Sequence, residues 1–183
     1  MQILKFSVSS SDNVQLSAYQ YVAESSAPAT KIFFSHANGF HGRCFDPVIA
    51  TLVADYECAS FDLRGHGASG KPWDKAAYAG HLPWARDVRS VIEQLGVTRP
   101  TLVGGSVGGF VAMDYVREFG ESAVTGVMLT GSHGGLLPRP VGQPPAFIGD
   151  LDQAIEGART FMKIMSVAPP GAKPTITRTG LVG

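Results

Sequence analysis

Hydrophobic residues recur along the chain in two patterns, one typical of strands and the other typical of helices. Short apolar runs predict strands at residues 3–8, 14–21, 31–35, 57–61, 101–103 and 124–130. Helical spacing of apolar residues predicts helices at residues 44–54, 82–95 and 107–119. The first two strands are separated by SSSDN and predict an antiparallel hairpin, whereas each of the next three strands is followed by a helix.

This alternation determines the predicted class of fold. Strands that alternate with helices of this length are joined by right-handed crossovers, which give a mostly parallel sheet with helices on both faces. The run 31–35, KIFFS, has no polar alternation and predicts a strand that is buried on both sides. The sequence therefore predicts an α/β fold for residues 1–135.

The regular alternation ends after Ser132. Residues 131–149 are rich in glycine and proline, and one amphipathic helix is predicted from about residue 150 to residue 165. The remaining tail contains no clear element. We therefore predict two parts, a core at 1–135 and a second segment at 136–183.

Composition and charge exclude several classes of partner. The 183 residues include 15 basic and 15 acidic side chains without a run of one sign, which argues against binding to nucleic acid or to an anionic membrane. Cys44 and Cys58 lack metal-type spacing and predict buried thiols. The first residues turn polar before a signal-type apolar stretch develops. These features predict a cytoplasmic protein with a small-molecule partner, and neither a metal nor a cofactor is expected.

One short stretch carries the strongest chemical signal. Residues 104–108, GGSVG, match Gly-x-Ser-x-Gly between a predicted strand and a predicted helix, which is the context of a nucleophilic serine. Lifting the Ser106 hydroxyl off the strand end needs a sharp turn, and small residues at Gly104 and Gly108 avoid collisions there. The other interpretations are a tightly packed glycine turn and a phosphate cradle. A Walker-type cradle would need a lysine beside the serine, and none is near.

Two upstream stretches give the motif a family context. Residues 35–42, SHANGFHG, and residues 62–70, DLRGHGASG, follow the predicted strands at 31–35 and 57–61. With GGSVG, they make residues 31–130 resemble the α/β-hydrolase family, and in particular its esterases, lactonases and related hydrolases. The resemblance implies the sheet order 1-2-4-3-5-6, with Ser106 in the turn after the fifth strand.

The resemblance also assigns roles to residues. It implies that Ser106 is the nucleophile and that the oxyanion hole is formed by the amides of Val107 and Asn38, with Ala37 as the alternative to Asn38. Asp62 and Arg64 would brace the loop below the pocket, where we expect the two charges to satisfy each other. Phe40, Trp73, Phe147 and Phe161 are candidate apolar residues of the pocket.

A serine nucleophile needs a histidine base and a carboxylate, and here the sequence departs from the family pattern. The family places both after a cap and two further strands, but no histidine follows His133 in this sequence. We expect the base, its acid and the closing strands to be absent from this chain, which would hold part of the cap. His36 and His66 are expected to be structural, His81 to begin a helix, and His133 to be a candidate pocket residue. Gly105 stands where many members carry a bulky residue.

Two functional hypotheses follow from this pattern. The first is a serine hydrolase that acts on a small ester, lactone or related acyl substrate through Ser106, represented by a shortened chain. The second is a non-catalytic, hydrolase-like domain that binds a ligand or a partner. In either case, an unpaired edge at the strand 124–130 predicts a homodimer.

Overall fold

The computed structural model describes residues 1–23 and 30–132, and they form one six-stranded sheet with three α-helices. The strands are β1 Gln2–Ser9, β2 Gln15–Val22, β3 Lys31–Ser35, β4 Glu57–Phe61, β5 Thr101–Gly105 and β6 Gly126–Thr130. The helices are α1 Asp46–Leu52, α2 Leu82–Gln94 and α3 Val107–Phe119. Three short 3-10 segments lie at Gly42–Phe45, Lys75–Tyr78 and Glu121–Ala123.

The order of strands across the sheet is β1-β2-β4-β3-β5-β6. The first two strands form an antiparallel hairpin, β2 pairs antiparallel with β4, and the remaining neighbours are parallel. This confirms the predicted order and the mostly parallel sheet. Because β3 and β5 are parallel neighbours, their carboxyl ends emerge side by side at the same edge of the sheet.

Neighbouring residues of β3 show that both faces of the sheet are covered. Phe33 is fully buried in a cluster with Val88 of α2 and Val111 of α3. Phe34, the next residue, belongs to a second cluster that includes Ile49 of α1. Successive side chains of a strand point to opposite faces, so α2 and α3 cover one face and α1 the other. The prediction of helices on both faces is confirmed.

The predicted helix 44–54 is the element that differs most from its prediction. It consists of the 3-10 turn Gly42–Phe45 and then the short helix α1, which begins at Asp46. Pro47 lies in the first turn of α1, where its missing N–H costs no helical hydrogen bond, and so it favours a fresh start of the helix there. Apolar spacing alone does not show this division, because the 3-10 turn continues the buried stripe.

The other predicted boundaries agree closely with the structure. The strands 31–35 and 57–61 and the helix 107–119 have the predicted limits. The last strand begins at Gly126 rather than residue 124, because the 3-10 turn Glu121–Ala123 precedes it and Val124 closes that turn. Within residues 1–23 and 30–132, no helix has the length and apolar character needed to cross a membrane.

The predicted helix 150–165 and the candidates His133, Phe147 and Phe161 lie outside the described residues. The division at residue 135 therefore stays a prediction.

Candidate active site

Ser106 occupies a strained turn between β5 and α3, as predicted. Its backbone has φ 49° and ψ −113°, a left-handed region that costs a residue with a Cβ of the order of 1–3 kcal/mol. Serine often caps a helix through its hydroxyl, yet here the side chain makes no capping bond to α3. The turn therefore presents the hydroxyl at the carboxyl end of β5 without committing it to the helix.

The glycines around Ser106 are required by close backbone contacts. A Cβ on Gly104 would lie 2.5 Å from the carbonyl oxygen of Gly108. A Cβ on Gly108 would collide with the carbonyl of Ser35 at the end of β3. The steric interpretation of both glycines is confirmed, and the first turn of α3 meets the end of β3 backbone to backbone.

Three hydrogen bonds hold the turn in place. The amide of Ser106 donates to the carbonyl of Thr130 at 2.9 Å, which continues the pairing of β5 with β6. The carbonyl of Ser106 accepts from the hydroxyl of Ser132 at 2.7 Å and from the amide of Gly109 at 3.0 Å. The end of β6 thus supports the turn on the side away from β3. Sequence analysis missed Ser132, because no pattern in its neighbourhood links it to a turn 26 residues earlier.

The loop after β3 runs beside this turn. The amide nitrogen of Ala37 lies 3.9 Å from the point where a Cβ of Gly105 would stand. The amide of Phe40 donates to the carbonyl of Ala37 at 3.1 Å and closes a tight turn. The structure therefore brings the Ala37 backbone to the residue before Ser106. Phe40, in this loop, is 42% exposed, and Trp73 is 98% exposed. The assignment of both to the pocket stays a prediction.

The side chain of Asn38 is bound to the neighbouring loop. Its Oδ1 lies 2.8 Å from Nε2 of His66, and Nδ1 of His66 lies 3.0 Å from the carbonyl of Arg64. The loops after β3 and β4 are thereby joined. The assignment of Asn38 and Val107 to an oxyanion hole stays a prediction. Helix α3 begins at Val107, and its N-terminus adds a positive partial charge at this end of the sheet.

His36 is fully buried between the same two loops and has a defined tautomer. Its Nε2 accepts from the amide of Leu63 at 2.9 Å, so its Nδ1 carries the proton and donates to the carbonyl of Ala37 at 2.7 Å. Burial lowers the pKa of His36 to about 4, from an ordinary value of 6.5. His36 therefore stays neutral and braces the loop, in agreement with its predicted structural role.

The expected pairing of Asp62 with Arg64 is wrong, although both residues are structural. Asp62 accepts from the amides of Gly42 and Ala68, at 2.7 and 2.8 Å, and from the hydroxyl of Tyr19 at 3.0 Å. These donors fix the loops after β3 and β4. A buried carboxylate with three donors does not need a guanidinium, which explains why the adjacent charges point apart.

Arg64 instead pairs with two distant carboxylates. Its guanidinium is completely buried and forms a two-point contact with Asp87 of α2, at 2.6 and 2.5 Å. It also bonds Asp12, in the hairpin turn, at 2.8 Å and the carbonyl of Ala77 at 2.6 Å. Arg64 lowers the pKa of Asp12 to about 2. Burial raises the pKa of Asp87, and the facing guanidinium opposes that rise. Asp87 could have been suspected from the sequence, because it stands next to Val88 on the apolar stripe of α2.

No group of three or more His, Cys, Asp or Glu side chains that could hold a metal ion occurs within residues 1–23 and 30–132. Cys58 is buried, as expected, and Cys44 is half-buried. Burial raises the pKa of both thiols to about 11, so neither is a reactive thiolate at neutral pH.

A parallel sheet with a strained serine turn after its fifth strand defines a hydrolase-type α/β protein. The family model described as the alpha/beta hydrolase family matches residues 32–178. The chain belongs to this family.

Several relatives have names that include esterase. The chain is 30% identical to a bifunctional esterase/perhydrolase of Acinetobacter calcoaceticus, over 79% of this chain and 56% of that protein. It is similar in structure to a putative aryl esterase of Burkholderia cenocepacia, with a TM-score of 0.72 and 26% identity, and to an esterase of Rhodococcus, with a TM-score of 0.68 and 31% identity. Each match covers 88% of this chain and 60% of the other chain. The chain thus spans less than two thirds of the length of each of these three relatives.

Proposed function

We propose that this chain carries the nucleophile and oxyanion site of a serine hydrolase that acts on a small ester, lactone or related acyl substrate. The observation that carries the proposal is the backbone of Ser106, held at φ 49° and ψ −113° with its hydroxyl uncommitted to the helix. Strain of this kind persists only where the surrounding structure enforces it, and it collects at functional sites. Relatives whose names include esterase support the same reaction class.

In the proposed reaction, the hydroxyl oxygen of Ser106 attacks the acyl carbonyl carbon and its proton passes to a base. The C–O bond to the alcohol breaks, and water then releases the acid from the acyl-enzyme. The negative oxygen of the intermediate would lie at the N-terminus of α3, with the amide of Val107 on one side and the loop at Ala37–Asn38 on the other.

The general base of the proposed mechanism is neither His36 nor His66. His36 and His66 each use both ring nitrogens in bonds to groups other than Ser106. A base must come within hydrogen-bond reach of the serine. The proposal therefore does not use His36 or His66 as the base, and His133 is the histidine of this chain to be tested first.

The test uses a p-nitrophenyl ester and a fluorophosphonate that labels activated serines. If the chain has the oxyanion site but no base, we expect it to hydrolyse the ester only about 10³ to 10⁴ times faster than water does. Ser106→Ala should abolish labelling by the fluorophosphonate and formation of an acyl-enzyme, whereas Ser122→Ala, a control at an exposed serine, should change neither. Rapid turnover by this chain that His133→Ala stops would instead make His133 the base.

Both ring nitrogens of His36 and of His66 are already hydrogen-bonded to other groups. This favours a second candidate function, a non-catalytic domain that binds an acyl compound or a partner. Under that hypothesis, the chain binds an unreactive ester analogue, but Ser106 forms no acyl-enzyme even with a highly activated ester. Mass spectrometry of the chain after incubation with that ester distinguishes the two candidates.

A further inference from the structure

His66 is placed between two carbonyl-type oxygens, one at each ring nitrogen. Its Nδ1 lies 3.0 Å from the backbone carbonyl of Arg64, and its Nε2 lies 2.8 Å from Oδ1 of Asn38. Its ring also meets that of His36 edge to face, at 5.1 Å between centroids. The imidazole thus connects the loop after β4 to the loop after β3.

These two contacts depend on how many protons the imidazole of His66 carries. A carbonyl oxygen only accepts hydrogen bonds, and a neutral imidazole offers one donor and one acceptor. The backbone carbonyl of Arg64 cannot turn away without moving the loop, so Nδ1 carries a proton. Nε2 can bond Oδ1 of Asn38 only if it carries a second proton. With Oδ1 of Asn38 at Nε2, the pair of contacts matches the imidazolium form of His66, and with the NH₂ group of Asn38 there, it matches the neutral form.

The surroundings of His66 favour the neutral form. Burial is the largest influence and lowers the pKa of His66. The hydrogen bond to the carbonyl of Arg64 and the charge of Asp62 oppose that shift, and the ammonium group of Lys71 adds to it. The guanidinium of Arg64 points away, towards Asp87 and Asp12. His36, the other ring against His66, is itself neutral.

A half-turn of the Asn38 carboxamide lets it hydrogen-bond to either the neutral or the charged form of His66. When His66 is neutral, Nε2 is an acceptor, and the NH₂ group of Asn38 must face it. When His66 binds a proton at Nε2, Oδ1 faces it and the NH₂ group points the opposite way. No covalent bond changes, and the proton comes from water.

We propose that His66 is a pH-sensitive positioning residue, whose protonation state decides which end of the Asn38 carboxamide faces the imidazole and which end faces away from it. The end that faces away is an acceptor above the titration of His66 and a donor below it. The link to catalysis rests on the proposed function, because Asn38 belongs to the loop assigned to the oxyanion site.

The orientation is tested by NMR on the ¹⁵N-labelled full chain between pH 8 and pH 5. At pH 8, we expect a proton on Nδ1 of His66 and none on Nε2. As the pH falls, the side-chain NH₂ resonances of Asn38 should shift with the same midpoint as the ring nitrogens of His66, below 6.5. The proposal would be overturned by a proton on Nε2 at pH 8, or by Asn38 resonances that do not shift as His66 titrates.

Asn38→Asp provides a second test of the contact. A carboxylate facing Nε2 stabilises the imidazolium, so the proton affinity of His66 should rise about tenfold or more. Gln94→Glu introduces the same charge change at the exposed end of α2 and should leave His66 unaffected. An unchanged His66 midpoint in a folded Asn38→Asp chain would contradict the proposed contact.

The consequence for the site is measured by fluorophosphonate labelling of Ser106 over the same pH range. We expect the labelling rate to change by about tenfold with the midpoint of His66, since small displacements near a reacting group have effects of this order. His66→Gln keeps a donor and an acceptor but does not titrate, and should remove this pH step. A pH step that persists in His66→Gln would contradict the link to the site. If Ser106 is unreactive at every pH, the proposed function fails, while the NMR result still decides the role of His66.

Discussion

The hydroxyl of Ser132 donates a hydrogen bond to the backbone carbonyl of Ser106 at 2.7 Å. Ser132 follows the end of β6, so this contact ties the last described strand to the strained turn. It also occupies the space above Gly109, where an added Cβ would collide with the Ser132 hydroxyl. The turn at Ser106 is thus supported from both sides, by β3 through Ser35 and by β6 through Ser132.

Replacing Ser132 should loosen the turn without unfolding the chain. Ser132→Ala removes one hydrogen bond, and we expect the free energy of unfolding to fall by about 1 kcal/mol. Labelling of Ser106 should fall more than this loss of stability explains, because the turn loses a restraint next to the reacting group. Urea unfolding and labelling rates measure the two effects. Equal labelling in Ser132→Ala and the parent chain would show that β6 does not restrain the turn.

Glycine substitutions around Ser106 should differ sharply between neighbours. Gly108→Ala forces a methyl group into the backbone of β3 and should destabilise the fold by about 2–3 kcal/mol, as overpacking does. Gly105→Ala is the matched control, since its nearest contacts would be 3.5 and 3.9 Å and its φ is not left-handed. We expect it to change stability by less than about 0.5 kcal/mol. Similar urea midpoints for the two variants would contradict the contact at Ser35.

Asp87 should be the most sensitive charged residue of the described fold. Asp87→Asn leaves the buried guanidinium of Arg64 without its two-point partner, which should cost about 3–5 kcal/mol. Asp12→Asn should cost about 1 kcal/mol or less, because the Asp12 side chain is 43% exposed.

A double variant separates two contributions to the free energy of unfolding: the cost of leaving Arg64 buried without a partner, and the net stabilisation by the ion pair itself. Arg64→Met with Asp87→Leu removes both buried charges and should recover part of the stability lost in Asp87→Asn. Chemical unfolding of the three variants measures each cost. A double variant less stable than Asp87→Asn would mean that the ion pair itself stabilises the fold.

The sequence predicts the architecture well because the elements are defined by local patterns. Phe33 and Phe34 lie in a run without polar alternation, and that run is β3, a central strand with both faces covered. The serine turn is equally local, since Gly104, Ser106 and Gly108 define it within five residues. The partners of Arg64 could not be predicted, because Asp12 and Asp87 are 52 and 23 residues away and only the fold brings them together. Adjacency in the sequence predicts that Asp62 pairs with Arg64. It fails as a guide here because backbone amides satisfy the Asp62 carboxylate instead.

The stability of the fold should fall in mild acid because of His36. Its pKa is about 4 in the folded chain, against 6.5 as its ordinary value, so the unfolded chain binds the proton more tightly. Stability is therefore full above pH 6.5 and is lost as the pH falls towards 4. The shift of His36 corresponds to a loss of about 3 kcal/mol, and His66, whose pKa is also lowered, adds to it. Asp87, whose pKa burial raises, acts in the opposite direction.

Urea unfolding at several pH values between 7.5 and 4 measures this dependence. His36→Gln should be less stable at neutral pH but should show a shallower loss in acid. His81→Gln, at a partly exposed histidine, should retain the steep loss. A His36→Gln chain with an unchanged slope would assign the acid sensitivity to other groups.

The strand β6 lies at the edge of the described sheet and pairs there with β5. Val127 and Met128 are 36% and 57% exposed, and the strand carries no charge to discourage pairing. We expect the chain to self-associate through this edge, with Val127→Lys or Met128→Lys weakening the association. Sedimentation velocity at increasing concentration tests this, and a clean monomer at high micromolar concentration would refute it.

The contact between Gly108 and the carbonyl of Ser35 has a consequence for how such a protein can diversify. Because main chain meets main chain there, the spacing between the serine turn and the end of β3 does not depend on the size of any side chain. Under the proposed function, residues assigned to the pocket, such as Phe40, can then be exchanged without altering that spacing. Substrate preference and the reactive framework are therefore free to evolve separately, with two glycines as the fixed requirement.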